Sequence, residues 1–249
     1  MVRPKKHFGQ HFLKSKGVVE KIVSVLDIDG GSVVLEIGAG TGVLTEELLK
    51  KNPKKLIAVE VDRELIPLLE EKFGKYPNFE LINKDATELS FCQFCQRLKL
   101  VGNLPYNVAS LIVLNTVFSK DCVERAVYMV QKEVAERLTL KGKPSWLGIF
   151  VNTFFDSQYL TSVPPRFFFP PPKVVSAVVK FTPKVNPPPF DLEDYKGFLE
   201  KLFSQPKKML RKKFPPEVLR KAGISPDARV HQLALEEIWR LYETFKSLE

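Results

Sequence analysis

Val33-Val34-Leu35-Glu36-Ile37-Gly38-Ala39-Gly40-Thr41-Gly42 carries the decisive pattern. An apolar stretch of strand length runs directly into glycines at every second position, and Thr41 to Lys50 then has helical periodicity. Strand, glycine turn and helix in immediate succession open a βαβ unit. Glycine lets such a loop turn sharply and brings its backbone close to a ligand that any Cβ would hold off. The spacing is G-x-G-x-G, and Val43 stands where the dinucleotide fingerprint has its third glycine, which speaks against a pyrophosphate ligand.

Outward from this loop the alternation continues. Lys55 to Val61 reads as a strand, Arg63 to Phe73 as a helix, Phe79 to Asn83 and Leu98 to Gly102 as strands. Val108 to Phe118 reads as a helix, Arg125 to Val130 as a strand and Lys132 to Leu138 as a helix. That order needs crossover connections, so the expected fold class is α/β, a Rossmann-like parallel sheet covered on both faces. Past residue 145, Leu147 to Phe155 and Val174 to Phe181 read as strands joined by a proline-rich turn, an antiparallel pair closing one sheet edge. Prolines crowd Pro183 to Pro189, a segment suited to neither helix nor central strand. Helical periods follow over Leu192 to Phe203, Lys207 to Phe214, Glu217 to Ala222 and Gln232 to Lys246. The expectation is a sheet domain over residues 1–183 and a small C-terminal all-helical domain over residues 190–249.

The chain has 249 residues, 44% hydrophobic and 27% charged, which is ordinary for a globular protein and excludes wholesale disorder or a low-complexity chain. Lys+Arg 38 against Asp+Glu 29 leaves +9, a balance that favours a polyanionic partner. No apolar run approaches the roughly 18 residues needed to span a bilayer. Met1 to Lys6 has the charge of a signal peptide without the apolar segment that should follow. The expected localisation is cytoplasmic, with no membrane partner, and three cysteines fit a reducing compartment. Cys92 and Cys95 form a C-x-x-C, but zinc wants four ligands and the remaining cysteine, Cys122, has no His nearby. The pair reads as two small apolar residues on a short helix, and no metal is expected.

Chemistry gathers at the strand ends, where open parallel sheets bind ligands. Glu60 closes the second strand about twenty residues after the glycines, the position from which a carboxylate accepts both hydrogen bonds of a ribose diol. Asp85, in Asn83-Lys84-Asp85-Ala86 after the third strand, suits an acceptor for an adenine amino group, although both carboxylates also suit helix N-caps. With Gly38 and Gly40 they describe an adenosine ligand lacking phosphates, and S-adenosylmethionine satisfies that description. The fourth strand ends at the same edge in Val101-Gly102-Asn103-Leu104-Pro105-Tyr106. Pro105 stiffens the turn, so the Asn103 side chain and the Leu104 carbonyl become two acceptors matched to the two N–H donors of an exocyclic amine. Gripped that way, the nitrogen is drawn from planar toward tetrahedral and its lone pair is freed for attack on a methyl group without a strong general base. Tyr106 supplies one aromatic wall for an extruded base. Phe168, in Phe168-Phe169-Pro170-Pro171-Pro172-Lys173, supplies the second, against a background of 19 Phe that otherwise mean core packing.

Phe8-Gly9-Gln10-His11-Phe12-Leu13, Glu36 to Gly42, Asn103-Leu104-Pro105-Tyr106 and Phe168 to Val174, in that order, resemble the ribosomal RNA adenine dimethyltransferase family. The segment Gln232-Leu233-Ala234-Leu235-Glu236-Glu237 is similar too. The resemblance is strongest to members that dimethylate two adjacent adenosines near the 3′ end of small-subunit rRNA. It implies an S-adenosylmethionine-dependent enzyme acting at adenine N6, with a second role in small-subunit biogenesis. Position by position it implies cofactor contacts at His11, Leu13, Gly38, Glu60, Asp85 and Asn103, and a target-base pocket from Asn103, Leu104, Tyr106 and Phe168. Members often have Asn where this chain has His11, which leaves open the nature of that contact. The charge pattern agrees: Lys201 to Lys221 holds eight Lys/Arg against the single acid Glu217. Lys207, Lys208, Arg211, Lys212 and Lys213 are spaced to share a helix face toward RNA. The arm with Arg3, Lys5 and Lys6 is a second candidate for phosphates. The alternatives are a large-subunit rRNA adenine methyltransferase of the macrolide-resistance type and a non-catalytic ribosome-assembly factor on the same fold. A monomer is expected.

Overall fold

The computed structural model describes Lys5 and residues 8–248. In chain order the strands are β1 (Phe12–Leu13), β2 (Val33–Ile37), β3 (Lys55–Val59), β4 (Phe79–Ile82), β5 (Leu98–Asn103), β6 (Val123–Gln131), β7 (Phe155–Val163), β8 (Phe168–Phe169) and β9 (Ser176–Pro183). The helices are α1 (Lys16–Leu26), α2 (Val43–Lys50), α3 (Ile66–Phe73), α4 (Ala109–Phe118), α5 (Lys132–Leu138), α6 (Trp146–Phe154), α7 (Leu192–Phe203), α8 (Pro216–Ala222) and α9 (Leu235–Ser247). Seven strands make one sheet in the order β4-β3-β2-β5-β6-β9-β7, while β1 and β8 pair separately. β2 to β6 pair in parallel, and β9 pairs antiparallel with both β6 and β7.

Successive strand residues point to opposite faces, and here both faces are buried. Val34, Val101, Val127 and Val178 join the cluster of α1, α2 and α3, while Leu35, Leu100, Tyr128 and Val179 join that of α4 and α6. This is why the strands read as continuous apolar runs. The periodicity of α1 stands outside the alternation read from residue 33 onward. Its buried Val19, Ile22, Val23 and Leu26 follow the spacing of one helix face, and the Ser15 hydroxyl caps it by accepting from Val18 N.

Three expectations are corrected. Leu147 to Phe154 is helical, so the antiparallel edge pair exists but its first strand begins at Phe155. Every residue of α6 from Leu147 to Phe154 is buried, which erases the polar–apolar contrast of a helix, and the cap is Ser145, whose hydroxyl accepts from Gly148 N at 3.1 Å. Lys207 to Phe214 is not a helix but holds a single 3-10 turn, Leu210–Lys212. Leu210 N donates to Ala228 O at 2.8 Å and Arg211 N to Pro226 O at 2.9 Å, so these amides serve a neighbouring segment, bracketed by Pro206 and Pro215. Cys92, finally, is joined by a disulfide to Cys122, and Cys95 is free. The pairing removes the support that unpaired cysteines lent to a reducing compartment.

The C-terminal helices seat on α6 through Tyr195, Phe198 and Leu199, in the same hydrophobic cluster as one sheet face. Trp239 Nε1 donates to Thr153 Oγ1 at 3.0 Å across that contact. Among the described residues no helix is long and apolar enough to cross a membrane, and no group of three or more His, Cys, Asp and Glu is placed to hold a metal ion.

Candidate active site

The strand order reverses at β2, with β3 and β4 on one side and β5 on the other. Loops leaving β2 and β5 diverge at such a switch point and leave a crevice. A cleft of about 700 Å³, open to solvent, lies there. Gly38, Gly40, Glu60, Asp85, Asn103, Leu104, Tyr106 and His11 all line it. Leu13 lines the adjoining hollow behind the glycine loop, beside Glu36 and Leu44. Phe168 lines neither: it is 1% exposed, pairs with Leu13 across β1 and β8, and belongs to the core.

Gly40 has φ 59°, a conformation side chains resist, and a Cβ there would stand 3.2 Å from the Phe12 ring. Its N–H donates to Glu60 Oε2 at 2.8 Å, and Asp62 N donates to Glu60 Oε1 at 2.9 Å. Glu60 is therefore no helix cap. Each oxygen takes one bond from the chain and keeps acceptor capacity for another. Burial pushes this carboxyl up, against the hydrogen bonds from Asp62 and Gly40. Asp85 does cap the 3-10 turn Ala86–Glu88, its Oδ1 accepting from Thr87 N at 2.9 Å and Thr87 Oγ1 at 2.8 Å, which leaves Oδ2 for the cleft. Val61, Ala86 and Ile112 add apolar lining suited to a flat ring. Sequence reading missed them, although Val61 and Ala86 each directly follow a singled-out carboxylate.

The orientation of the Asn103 amide is fixed from its donor side. Nδ2 donates to His11 O at 2.8 Å, and among the described residues nothing donates to Oδ1. Leu104 N donates to Met129 O at 3.0 Å, and its carbonyl is likewise unused among the described residues. Two acceptors thus remain at the cleft. The His11 ring shares a 2.8 Å hydrogen bond with Pro170 O and stacks on Tyr106 at 5.4 Å and 29°.

The segment carrying His11 is latched from the far side of the cleft. Lys5 Nζ lies 2.8 Å from Asp62 Oδ1 and 2.9 Å from Glu64, and Gln10 Nε2 donates to Asp62 Oδ2 at 2.8 Å. Burial raises the Asp62 carboxyl, but the bonds from Lys5 and Gln10 outweigh it and hold it below its ordinary range. No spacing in the sequence signals that partnership. Arg3 and Lys6 of the expected basic arm lie outside the described residues. Of the second basic group, Lys207, Lys208 and Lys212 are exposed, but Arg211 pairs with Asp227 at 2.7 Å and Lys213 Nζ donates to Leu202 O at 2.5 Å. They share no helix face.

Glu36, 1% exposed behind the glycine loop, has Oε2 bonded by Thr45 Oγ1 at 2.6 Å and Oε1 bonded by nothing among the described residues. Burial, with Glu60 adding and Thr45 opposing, pushes this carboxyl up to about 7. A raised folded-state value means that the folded protein holds the proton more tightly. The stability from Glu36 is therefore complete below its ordinary value of 4.5 and is lost as pH rises through about 7. Glu36→Gln keeps an acceptor for Thr45 and cannot ionise. It is expected to exceed the wild type in unfolding free energy at about pH 8 by up to about 3 kcal/mol, with the gap closing near pH 4. Denaturant titrations at both pH values check this, and identical curves at the higher one would refute it.

The model of the ribosomal RNA adenine dimethylase family matches residues 1–247. A ribosomal RNA small subunit methyltransferase A from Sulfurihydrogenibium sp. is 49% identical over 97% of this chain and 96% of its own, and one from Persephonella marina is 48% identical over 96% and 93%. Among solved structures, a dimethyladenosine transferase from Plasmodium falciparum superposes with TM-score 0.83 at 28% identity, over 95% of this chain and 98% of that one. The 23S rRNA methyltransferase ErmE gives 0.77 at 27%, over 94% and 99%. A cleft at the switch point of the sheet with a pinned amide beside it is joined by a match along nearly the whole length: this chain belongs to the ribosomal RNA adenine dimethylase family.

Proposed function

We propose that the protein transfers methyl groups from S-adenosylmethionine to N6 of two adjacent adenosines near the 3′ end of small-subunit rRNA, forming N6,N6-dimethyladenosine. With it goes a role in small-subunit biogenesis, in the cytoplasm and as a monomer. The observation that carries the reading is the Asn103 amide, tied at Nδ2 to His11 O and open at Oδ1 beside the open Leu104 carbonyl. Relatives at nearly half identity named for the small subunit favour that substrate over the large-subunit alternative, which rests on 27% identity.

The residues present fit the cofactor. Glu60 retains acceptor capacity for a ribose diol, Asp85 Oδ2 for an amino group, and Val61, Ala86 and Ile112 offer apolar surface to a purine. S-adenosylmethionine supplies, when bound, an electrophilic methyl group on a sulfonium. Asn103 Oδ1 and the Leu104 carbonyl accept from the two N–H groups of the target amine and turn its lone pair into the cleft. The amine proton becomes acidic as the nitrogen gains its fourth bond and leaves to water, so no strong base is needed. Alignment of the reactants contributes about 7–11 kcal/mol in well-oriented systems. Tyr106 stacks on the extruded base, Phe168 backs the same site from the core, and the exposed Lys207, Lys208 and Lys212 of the helical domain meet phosphates.

Incubation with undermethylated small subunits and labelled S-adenosylmethionine is expected to place label on two adjacent adenosines, located by primer extension. Calorimetric binding of S-adenosylmethionine with no label transferred would favour the assembly factor instead.

A further inference from the structure

Ser176 opens β9, faces Gln131 of β6 and Val163 of β7 in the sheet, and is 0% exposed. Its hydroxyl has one partner among the described residues: Tyr106 Oη, 2.5 Å away and 70 residues earlier in the chain. The Tyr106 ring is therefore held at both ends. Its backbone sits in the turn after β5, where Val108 N donates to Pro105 O at 3.2 Å, and its phenol reaches across to β9 in the antiparallel part of the sheet. One face of the ring is taken by His11, stacked at 5.4 Å with an interplanar angle of 29°.

From this geometry we infer that Ser176 is a positioning residue for base capture: its hydroxyl fixes the plane of Tyr106, so that the face turned away from His11 is presented to the adenine as a rigid platform. The inference rests on the reading of Tyr106 as a wall of the target-base pocket. A stacking ring free to turn about its side-chain torsions loses ordering entropy each time a base docks, whereas a ring locked beforehand does not. The phenol stays neutral, since burial raises its pKa against the opposing bond from Ser176, so the lock is not lost to ionisation. The Thr116–Tyr128 pair, at 2.8 Å inside the core, is the same chemistry away from the cleft.

The test measures methyl transfer to undermethylated small subunits by Ser176→Ala, Tyr106→Phe and their double variant, with Ser176→Thr and Thr116→Val as references. Ser176→Ala and Tyr106→Phe are each expected to lower kcat about tenfold, the size of one net hydrogen bond. Their KM for S-adenosylmethionine should stay put, the double variant should be no worse than either single one, and Ser176→Thr should recover the rate. Thr116→Val should lose thermal stability and keep kcat, which separates positioning from a general loss of packing. A product of the two single effects in the double variant, or a wild-type rate for Ser176→Ala while Tyr106→Ala is impaired, would overturn the inference alone. Undiminished transfer by Tyr106→Ala would instead remove the pocket reading, and the inference with it.

Discussion

Asn103→Ala is expected to bind S-adenosylmethionine within about tenfold of the wild type and yet transfer methyl groups about a thousandfold more slowly, the scale of losing one preorganised polar group aimed at the reacting atoms. The direction of the amide matters as much as its presence. Nδ2 donates to His11 O at 2.8 Å, so the other end of the amide, Oδ1, is the end left open at the cleft. Asn103→Asp tests this more sharply. An aspartate has the same size and still carries an acceptor for the amine, but it sets a second oxygen against the His11 carbonyl, where a donor is required. If orientation by His11 matters, Asp should be nearly as impaired as Ala. If only an acceptor is needed, Asp should be near wild type. Single-turnover transfer with enzyme in excess, alongside calorimetry of the cofactor, separates chemistry from binding. A wild-type single-turnover rate in Asn103→Ala would end the role assigned to this amide.

Much of the sheet and the cleft was legible because their signals are local. Glycine at alternate positions after an apolar strand, a carboxylate at each of the next two strand ends, and Asn-Leu-Pro-Tyr at the fourth need no tertiary information to be read. The cleft then gathers Gly38, Glu60, Asp85, Asn103 and Tyr106, as strand ends of a parallel sheet must. What stayed illegible is relational. Asp62 reads as an ordinary loop acid until Lys5 and Gln10 are seen on it, and Ser176 as one more strand residue until Tyr106 reaches it. The sequence of helix α6 has the look of a strand because burial on all sides removes the contrast that marks a helix. The basic stretch Lys207 to Lys213 has helical spacing, but the amides of Leu210 and Arg211 bond to Ala228 and Pro226, a tertiary choice that outweighs propensity.

The Cys92–Cys122 disulfide is expected to contribute about 3–4 kcal/mol to stability, because it closes a long loop that the unfolded chain would otherwise leave free. The two cysteines are separated by 30 in sequence. At this chain length such a loss corresponds to a fall in Tm of roughly 7–14 °C on reduction or in Cys92→Ser. The bridge has a particular place to act. Cys92 lies in the 3-10 turn Phe91–Gln93 that follows the Asp85 loop, and Cys122 ends the turn leading into β6. Asn115 Nδ2 already ties α4 to the same loop by donating to Leu89 O at 2.6 Å, so the covalent link and this bond together restrain the rim of the cleft that carries Asp85. Reduction should therefore weaken cofactor binding as well as lower Tm, since a loosened loop must be ordered again when Asp85 is engaged. Cys95→Ser is the control and should change neither quantity. Thiol titration of the unfolded, unreduced protein should find Cys95 alone reactive, with Cys92 and Cys122 joining it after reduction. Three reactive thiols before reduction would show that the protein folds without the bridge, and the stability expected from it would then have to come from packing around Phe91, which is fully buried beside it.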